Sequence, residues 1–151
     1  MKQKKGFTLV ELLVVIAIIG LLSTLAVIAL GSARSKARDA RRISDIKQIQ
    51  TALELHFADA GKYPFPEAAT TFGSDVTNVL HDSGFGNSTQ IPLEAEIYMG
   101  QVPGQIDTPT NIGVYSYTSA SGDTYTLSFE LEGKIGELGA GTHTASPEGI
   151  I

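Results

Sequence analysis

The chain has 151 residues, no cysteine and a formal charge of −5, which leaves room for one small folded head beside one membrane segment and excludes a disulfide framework or a thiolate metal site. The charge is unevenly placed: residues 1–62 carry 10 Lys/Arg against 5 Asp/Glu, whereas residues 63–151 carry Lys134 against 11 acids. A head of net −10 and a stem of net +5 disfavour nucleic acid as a partner and favour association between unlike ends of neighbouring copies.

The chain begins with a basic hexapeptide ending Lys4-Lys5-Gly6, followed by Phe7-Thr8-Leu9-Val10-Glu11-Leu12-Leu13. From Phe7 to Leu30 the run of 24 residues is almost wholly apolar, with Glu11 its one charge. About 20 such residues cross the hydrocarbon as a helix. An acid inside such a run costs about 2.5–3.5 kcal/mol at the helix centre and less near its end, so Glu11 reads as a functional residue in need of a partner. A cleaved secretory signal fits poorly, because its apolar region is shorter and ends in a small-residue cut site. Gly20 and Ser23-Thr24, inside the run, are places for close helix approach or a local bend.

Lysines 2, 4 and 5 precede the span, while Arg34, Lys36, Arg38, Arg41 and Arg42 follow it, so positive charge alone leaves the orientation open. The short leader, the acidic head and the absence of cysteine favour an exported head. The Arg34–Arg42 cluster is then expected at the membrane boundary, against lipid phosphates rather than DNA.

No turn signal ends the span. Helix formers run from Ala33 to Arg42, and Ile43, Ile46, Ile49 or Gln50, Leu53 and Phe57 then recur at helical spacing with Asp45, Lys47, Gln48 and Glu54 between them. Gly61 and Pro64 stop the pattern. One helix from Phe7 to Ala60 is expected, about 80 Å long, apolar all round in its first half and on one face in its second.

Beyond Pro64, Ser74 to Gly84 reads as a short helix with Ser74 or Asp75 as N-cap and Val76, Val79 and Leu80 inward. Residues 85–111 read as irregular, with Ile97-Tyr98-Met99 a candidate strand. Tyr115 and Tyr117 alternate with Ser116 and Thr118, and Tyr125, Leu127, Phe129 and Leu131 alternate with Thr126, Ser128, Glu130 and Glu132, the period of half-buried strands. Turns fall at Ser121-Gly122-Asp123 and Gly133-Lys134. Ile135 to Leu138 is expected to return as a third strand, and Gly139 to Ile151 to form a tail with nothing to hold it. The organisation read from the chain is a leader at 1–6, a membrane half of the helix at 7–30, an amphipathic half at 31–60 and a head at 61–151.

Catalytic patterns are missing. His56, His81 and His143 show no zinc spacing, and there is no G-x-S-x-G, P-loop or G-x-G-x-x-G. Glu130 and Glu132 read as lying on a solvated strand face. Asp107, Asn111 and Asp123 are oxygen donors for a structural calcium ion, but the calcium-loop pattern is absent and no cofactor is expected.

The leader and span resemble the N-terminus of type IV prepilins and type II secretion pseudopilins, on Lys4-Lys5-Gly6, Phe7-Thr8-Leu9-Val10-Glu11-Leu12 and the apolar run to Leu30, with a looser likeness to Tyr63-Pro64. The resemblance implies an α+β fold, a long helix on a small antiparallel sheet. It implies cleavage between Gly6 and Phe7 by a membrane prepilin peptidase, methylation of the Phe7 amine, and a non-enzymatic subunit of a type IV pilus or secretion pseudopilus. Assembly then requires other copies or other pilins, an assembly ATPase with its platform, and membrane lipid. The acid matching Glu11 is thought to pair in such filaments with the terminal amine of a neighbour. The other reading of Glu11 is an acid held within its own chain at the helix N-terminus, by the helix dipole and the amine four residues before it. Two features depart from many members: no proline lies near Val27-Ile28-Ala29, and no disulfide closes the C-terminal loop. The reading from a different class is a monomeric single-pass membrane protein whose head binds a partner.

Overall fold

A computed structural model of the chain describes residues 6–66, 68–72, 78–89, 91–104 and 114–151. One helix, α1, runs Leu9–Ala60. It ends as its sequence dictates: Gly61 takes a left-handed φ of 68° and its N–H donates to the Phe57 carbonyl at 2.8 Å, a glycine-terminated helix end. The chain divides into two compact units, Met1–Ser35 and Lys36–Ile151.

Within the described part of the first unit every residue of α1 is exposed through Arg34. The helix is long and apolar enough to cross a membrane, and its most apolar window has no buried residue.

The second unit packs the amphipathic half of α1 on antiparallel strands. These are β1 (Thr70–Thr71), β2 (Val79–His81), β3 (Gly84–Gly86), β4 (Ile97–Met99), β5 (Ser116–Thr118), β6 (Thr126–Leu131), β7 (Gly141–Ser146) and β8 (Gly149–Ile150). Five of them form a sheet in the order β1-β5-β6-β7-β8, and β3-β2-β4 form a second. Strand β6 is the middle of the larger sheet: Leu127, Phe129 and Leu131 point inward and are at most 2% exposed. Against them lie Ile46, Ile49, Ala52 and Leu53 of α1, with Tyr63, Phe72, Leu80, Val102, Tyr115, Tyr117, Tyr125 and Ala145 completing the core. The alternation of β6 and the three-to-four spacing on α1 meet because each presents a single apolar face.

Three expectations fail here. The helix read over Ser74–Gly84 is a β-hairpin from Val79 onward, the residues 74–77 lying outside the described residues. His81 pairs with Gly84 across Asp82-Ser83, and Gly84 adopts φ 108°. Leu80 pairs with both Phe85 and Met99, so a central position between two strands overrides a helical spacing of three apolar residues. Ile135 and Leu138 make one isolated bridge within a turn instead of a strand. The returning strand is β7, drawn from the supposedly untethered tail, and it pairs with β6 from Leu127↔Ala145 to Leu131↔Gly141. Its composition hid it, because only Ala145 along β7 is fully buried and the ladder is held by backbone hydrogen bonds.

Candidate assembly site and the ion-pair cluster on the helix

Gly6, Phe7 and Thr8 precede the first turn of α1, and Phe7 is 89% exposed. Thr8 is the N-cap. Its Oγ1 accepts from the Glu11 N–H at 3.2 Å, while Glu11 Oε2 accepts from the Thr8 N–H and hydroxyl, both at 2.8 Å. This is a capping box, in which the acid three residues into the helix satisfies donors the helix end would otherwise leave open. The Thr8-x-x-Glu11 spacing before an apolar run carries that signal in the sequence. Among the described residues the Glu11 carboxylate therefore has Thr8 as a partner, through one oxygen.

Further along the span the hydroxyls turn inward on their own helix. Ser23 Oγ donates to the Ile19 carbonyl and Thr24 Oγ1 to the Leu21 carbonyl, each at 2.7 Å. Apart from its neighbours and the adjoining helix backbone, no described atom lies within 4 Å of where a Gly20 side chain would begin, which leaves a flat place on the helix surface.

The five cations after the span divide in two. Arg34, Lys36 and Arg41 are exposed. Arg38 and Arg42 turn to the sheet unit. Arg38 grips Glu132 with Nε at 2.7 Å from Oε1 and Nη2 on Oε2, a bidentate pair. Arg42, 2% exposed, donates through Nη1 to Glu132 Oε1 at 2.8 Å and to Asp39 Oδ1 at 2.6 Å. Asp39 in turn accepts the backbone N–H groups of Glu132 and Gly133, both at 2.9 Å. The cluster thus fastens the turn after β6 to one face of α1. Glu132 corrects the expectation of a solvated strand face: its side chain is only 8% exposed. Hydrogen bonds from Arg38, foremost, and from Arg42 hold its carboxyl at about 2, well below the usual 4.5. Charged residues at three-to-four spacing before Ile43 are the sequence signal for this face, easily read as a solvated one.

Two further buried polar groups escaped the sequence reading. Asp45, 7% exposed, accepts from the Tyr115 hydroxyl at 3.2 Å, and burial pushes its carboxyl above the ordinary carboxylate range. His56, 4% exposed, sets Nδ1 2.8 Å from the Lys62 carbonyl and Nε2 3.1 Å from that of Asp82. His56 thereby ties the end of α1 to the β2–β3 turn. His81 is buried beneath Gly86, where a Cβ would fall 2.7 Å from its Nε2, and His143 lies over Phe129. The histidines serve packing, and among the described residues no three His, Cys, Asp or Glu side chains are grouped to hold a metal. Asp107 and Asn111 lie outside the described residues; Asp123 accepts from the Ser121 hydroxyl at 2.7 Å.

A capped, fully exposed apolar helix that continues into a sheet-packed amphipathic half defines a pilin-like α+β protein. Residues 1–32 match the family described as the prokaryotic N-terminal methylation motif, so the chain carries the N-terminal signature of prepilins and pseudopilins. The chain is 38% identical over 66 residues to type II secretion system core protein G of Aeromonas hydrophila, covering 44% of this chain and 46% of that protein. It is 26% identical over 101 residues to the type IV major pilin protein PilA of Myxococcus xanthus, covering 62% of this chain and 46% of that one. To a fimbrial protein of Pseudomonas aeruginosa it is 26% identical over 136 residues, 88% of this chain and 84% of the relative. The chain spans less than half the length of the secretion proteins it matches. No solved structure matches it.

Proposed function

We propose that this chain is a non-enzymatic structural subunit of a type IV pilus or a type II secretion pseudopilus. A prepilin peptidase cuts between Gly6 and Phe7 and the Phe7 amine is methylated. The 7–30 half anchors the subunit in the cytoplasmic membrane with the N-terminus inside and the head outside. Arg34, Lys36 and Arg41 meet lipid phosphates at its boundary. An assembly ATPase and its platform then move the subunit into a filament of like helices.

One observation carries this reading: a helix apolar on every side, without a buried residue, that opens on a single acid four residues from the cut site. Such a surface needs lipid or sister helices. The capping box supports the role of Glu11, since Thr8 neutralises part of its polarity while the subunit waits in lipid. Cleavage adds a positive amine at Phe7, and a neighbour in correct axial register offers that amine to Glu11. Opposite charges attract strongly at low dielectric, whereas an unpaired one is heavily penalised.

Intact mass of protein from the native membrane tests processing, with loss of residues 1–6 and gain of one methyl group on Phe7 expected. Glu11→Ala is expected to insert and be cut normally yet enter filaments poorly. Normal filament yield from that variant rejects the assembly role, and a retained leader rejects the reading altogether.

A further inference from the structure

The turn after β3 holds a group that filament assembly does not use. Asn87-Ser88-Thr89 is the chain's one Asn-x-Ser/Thr triplet; Asn78 and Asn111 are followed by Val79-Leu80 and Ile112-Gly113. Such a triplet is the acceptor pattern for an N-linked sugar on an exported surface. Three common residues in a row are a weak signal by themselves, and the conformation supplies the rest.

Thr89 donates twice to Asn87 Oδ1, from its N–H at 2.9 Å and from its hydroxyl at 3.0 Å. Both bonds use the oxygen, leaving Nδ2 outside the turn's own hydrogen bonds. The turn is pinned from below: the Ser88 N–H donates to Asn78 Oδ1 at 2.9 Å, and Asn78 Nδ2 donates to Ser88 Oγ at 3.4 Å. Ser88 and Thr89 are exposed and Asn87 half-buried, so the triplet stands on the surface.

A carboxamide nitrogen is a poor nucleophile because its electron pair is shared with the oxygen. Donors placed on that oxygen stabilise the negative charge it gains when Nδ2 gives up a proton. The Thr89 hydroxyl and N–H occupy those donor positions before any enzyme arrives.

The geometry points to Asn87 as a modification site, an acceptor for an oligosaccharide carried on a polyprenyl pyrophosphate. In the transfer a bond forms between Nδ2 and the anomeric carbon of the first sugar. The bond from that carbon to the pyrophosphate oxygen breaks, and its electron pair leaves with the pyrophosphate lipid. The displaced Nδ2 proton goes to a carboxylate of the membrane transferase. The step is redox-neutral. In the cell it rests on the exported head of the proposed function, because the sugar is added outside the cytoplasm.

The test uses the purified full chain in detergent, a single-subunit oligosaccharyltransferase that reads the bare triplet, and a polyprenyl-pyrophosphate tetrasaccharide. Neither export nor assembly enters this assay, and the same mass spectrum reads the state of the leader, so failure of the filament reading is seen separately. The expected result is one tetrasaccharide per folded chain, placed on Asn87 by peptide sequencing. Asn87→Gln abolishes it, Thr89→Ser retains it, and Thr89→Val, which keeps the shape and loses the hydroxyl, lowers the rate at least tenfold. No transfer to the folded chain, transfer only after heat unfolding, sugar on Asn78 or Asn111, or an unchanged rate in Thr89→Val each overturns the proposal.

Discussion

Between Leu9 and Leu30 the helix is apolar on every side and buries nothing, whereas between Asp39 and His56 it buries eight residues, four of them ionisable. The contrast inverts the usual expectation that the greasiest segment makes the core. Burial follows what the rest of the chain offers. The sheet supplies Leu127, Phe129 and Leu131 to Ile46, Ile49 and Leu53, and the turn after β6 supplies Glu132 and two N–H groups to Asp39, Arg42 and Arg38. The first half meets no such surface within the described residues, so its apolar area stays exposed.

The strongest way to break this comparison is to remove Asp39. Asp39→Ala strips one of two acceptors from Arg42 Nη1 and the side-chain acceptor from the N–H groups of Glu132 and Gly133. Breaking a buried pair by removing one partner costs about 3–5 kcal/mol. Urea unfolding of the full chain in detergent, followed by tyrosine fluorescence from the head, is expected to show that loss. Ile18→Ala, a larger change in apolar volume within the span, is expected to leave the same transition in place. Equal effects from the two substitutions would mean that the halves do not differ as described.

How much of this was legible depends on which force sets each element. The span, the stop at Gly61-Lys62-Tyr63-Pro64 and the alternating strands β5 and β6 follow from hydropathy period and from glycine and proline stereochemistry, which are local. The hairpin at Val79–Gly86 was not legible, because three apolar residues at helical spacing also suit a strand, and the choice was made by pairing with distant β4. Strand β7 was hidden because backbone pairing with β6 leaves little trace in its side chains. At the candidate assembly site Gly6, Phe7 and Glu11 stood out by motif, but the Thr8 cap was overlooked beside them. Among the basic residues, the three-to-four spacing that sets Arg38 and Arg42 on one face reads equally well as a solvated face, since their partner Glu132 lies some 90 positions away.

A smaller loss is expected at the far end of the same face. His56→Phe keeps the ring volume but removes the ring nitrogens facing the carbonyls of Lys62 and Asp82, one of which receives the imidazole N–H. An unsatisfied buried polar group costs about 1–3 kcal/mol. His56→Gln, which retains one donor, is expected to fall between wild type and His56→Phe in urea midpoint. A neutral result for His56→Phe would show that the helix end does not depend on these two carbonyl contacts.

Acid sharpens the comparison further, because only the second half has a depressed carboxylate outside the membrane. Glu132 sits at about 2 in the fold against an ordinary 4.5. Its contribution is therefore complete above about pH 4.5 and is lost as pH falls from there toward 2. Thermal unfolding of wild type minus that of Glu132→Gln is expected to be constant from pH 5 to 8 and to shrink over pH 4.5 to 2. A difference that stays constant to pH 2 would contradict the pairing with Arg38 and Arg42.

The smallest expected effect has the opposite sign. Asp45 lies six positions beyond Asp39 on the buried side of α1, but among the described residues its side-chain hydrogen bond is with the Tyr115 hydroxyl, and burial raises its carboxyl with only partial relief from that bond and from Arg41. A raised acid is penalised while charged, so this site weakens the fold at neutral pH and the penalty fades as the pH falls through its folded value. Asp45→Asn keeps an oxygen for Tyr115 and removes the charge. A small stabilisation at pH 7 is expected, vanishing in acid, where Asp39→Asn remains destabilising because one of the two oxygens that accept from Arg42 and from the N–H groups of Glu132 and Gly133 becomes a donor. If both amides destabilise alike, burial of charge on this face is governed by packing alone, and the distinction between the ion-paired and the hydrogen-bonded aspartate falls away.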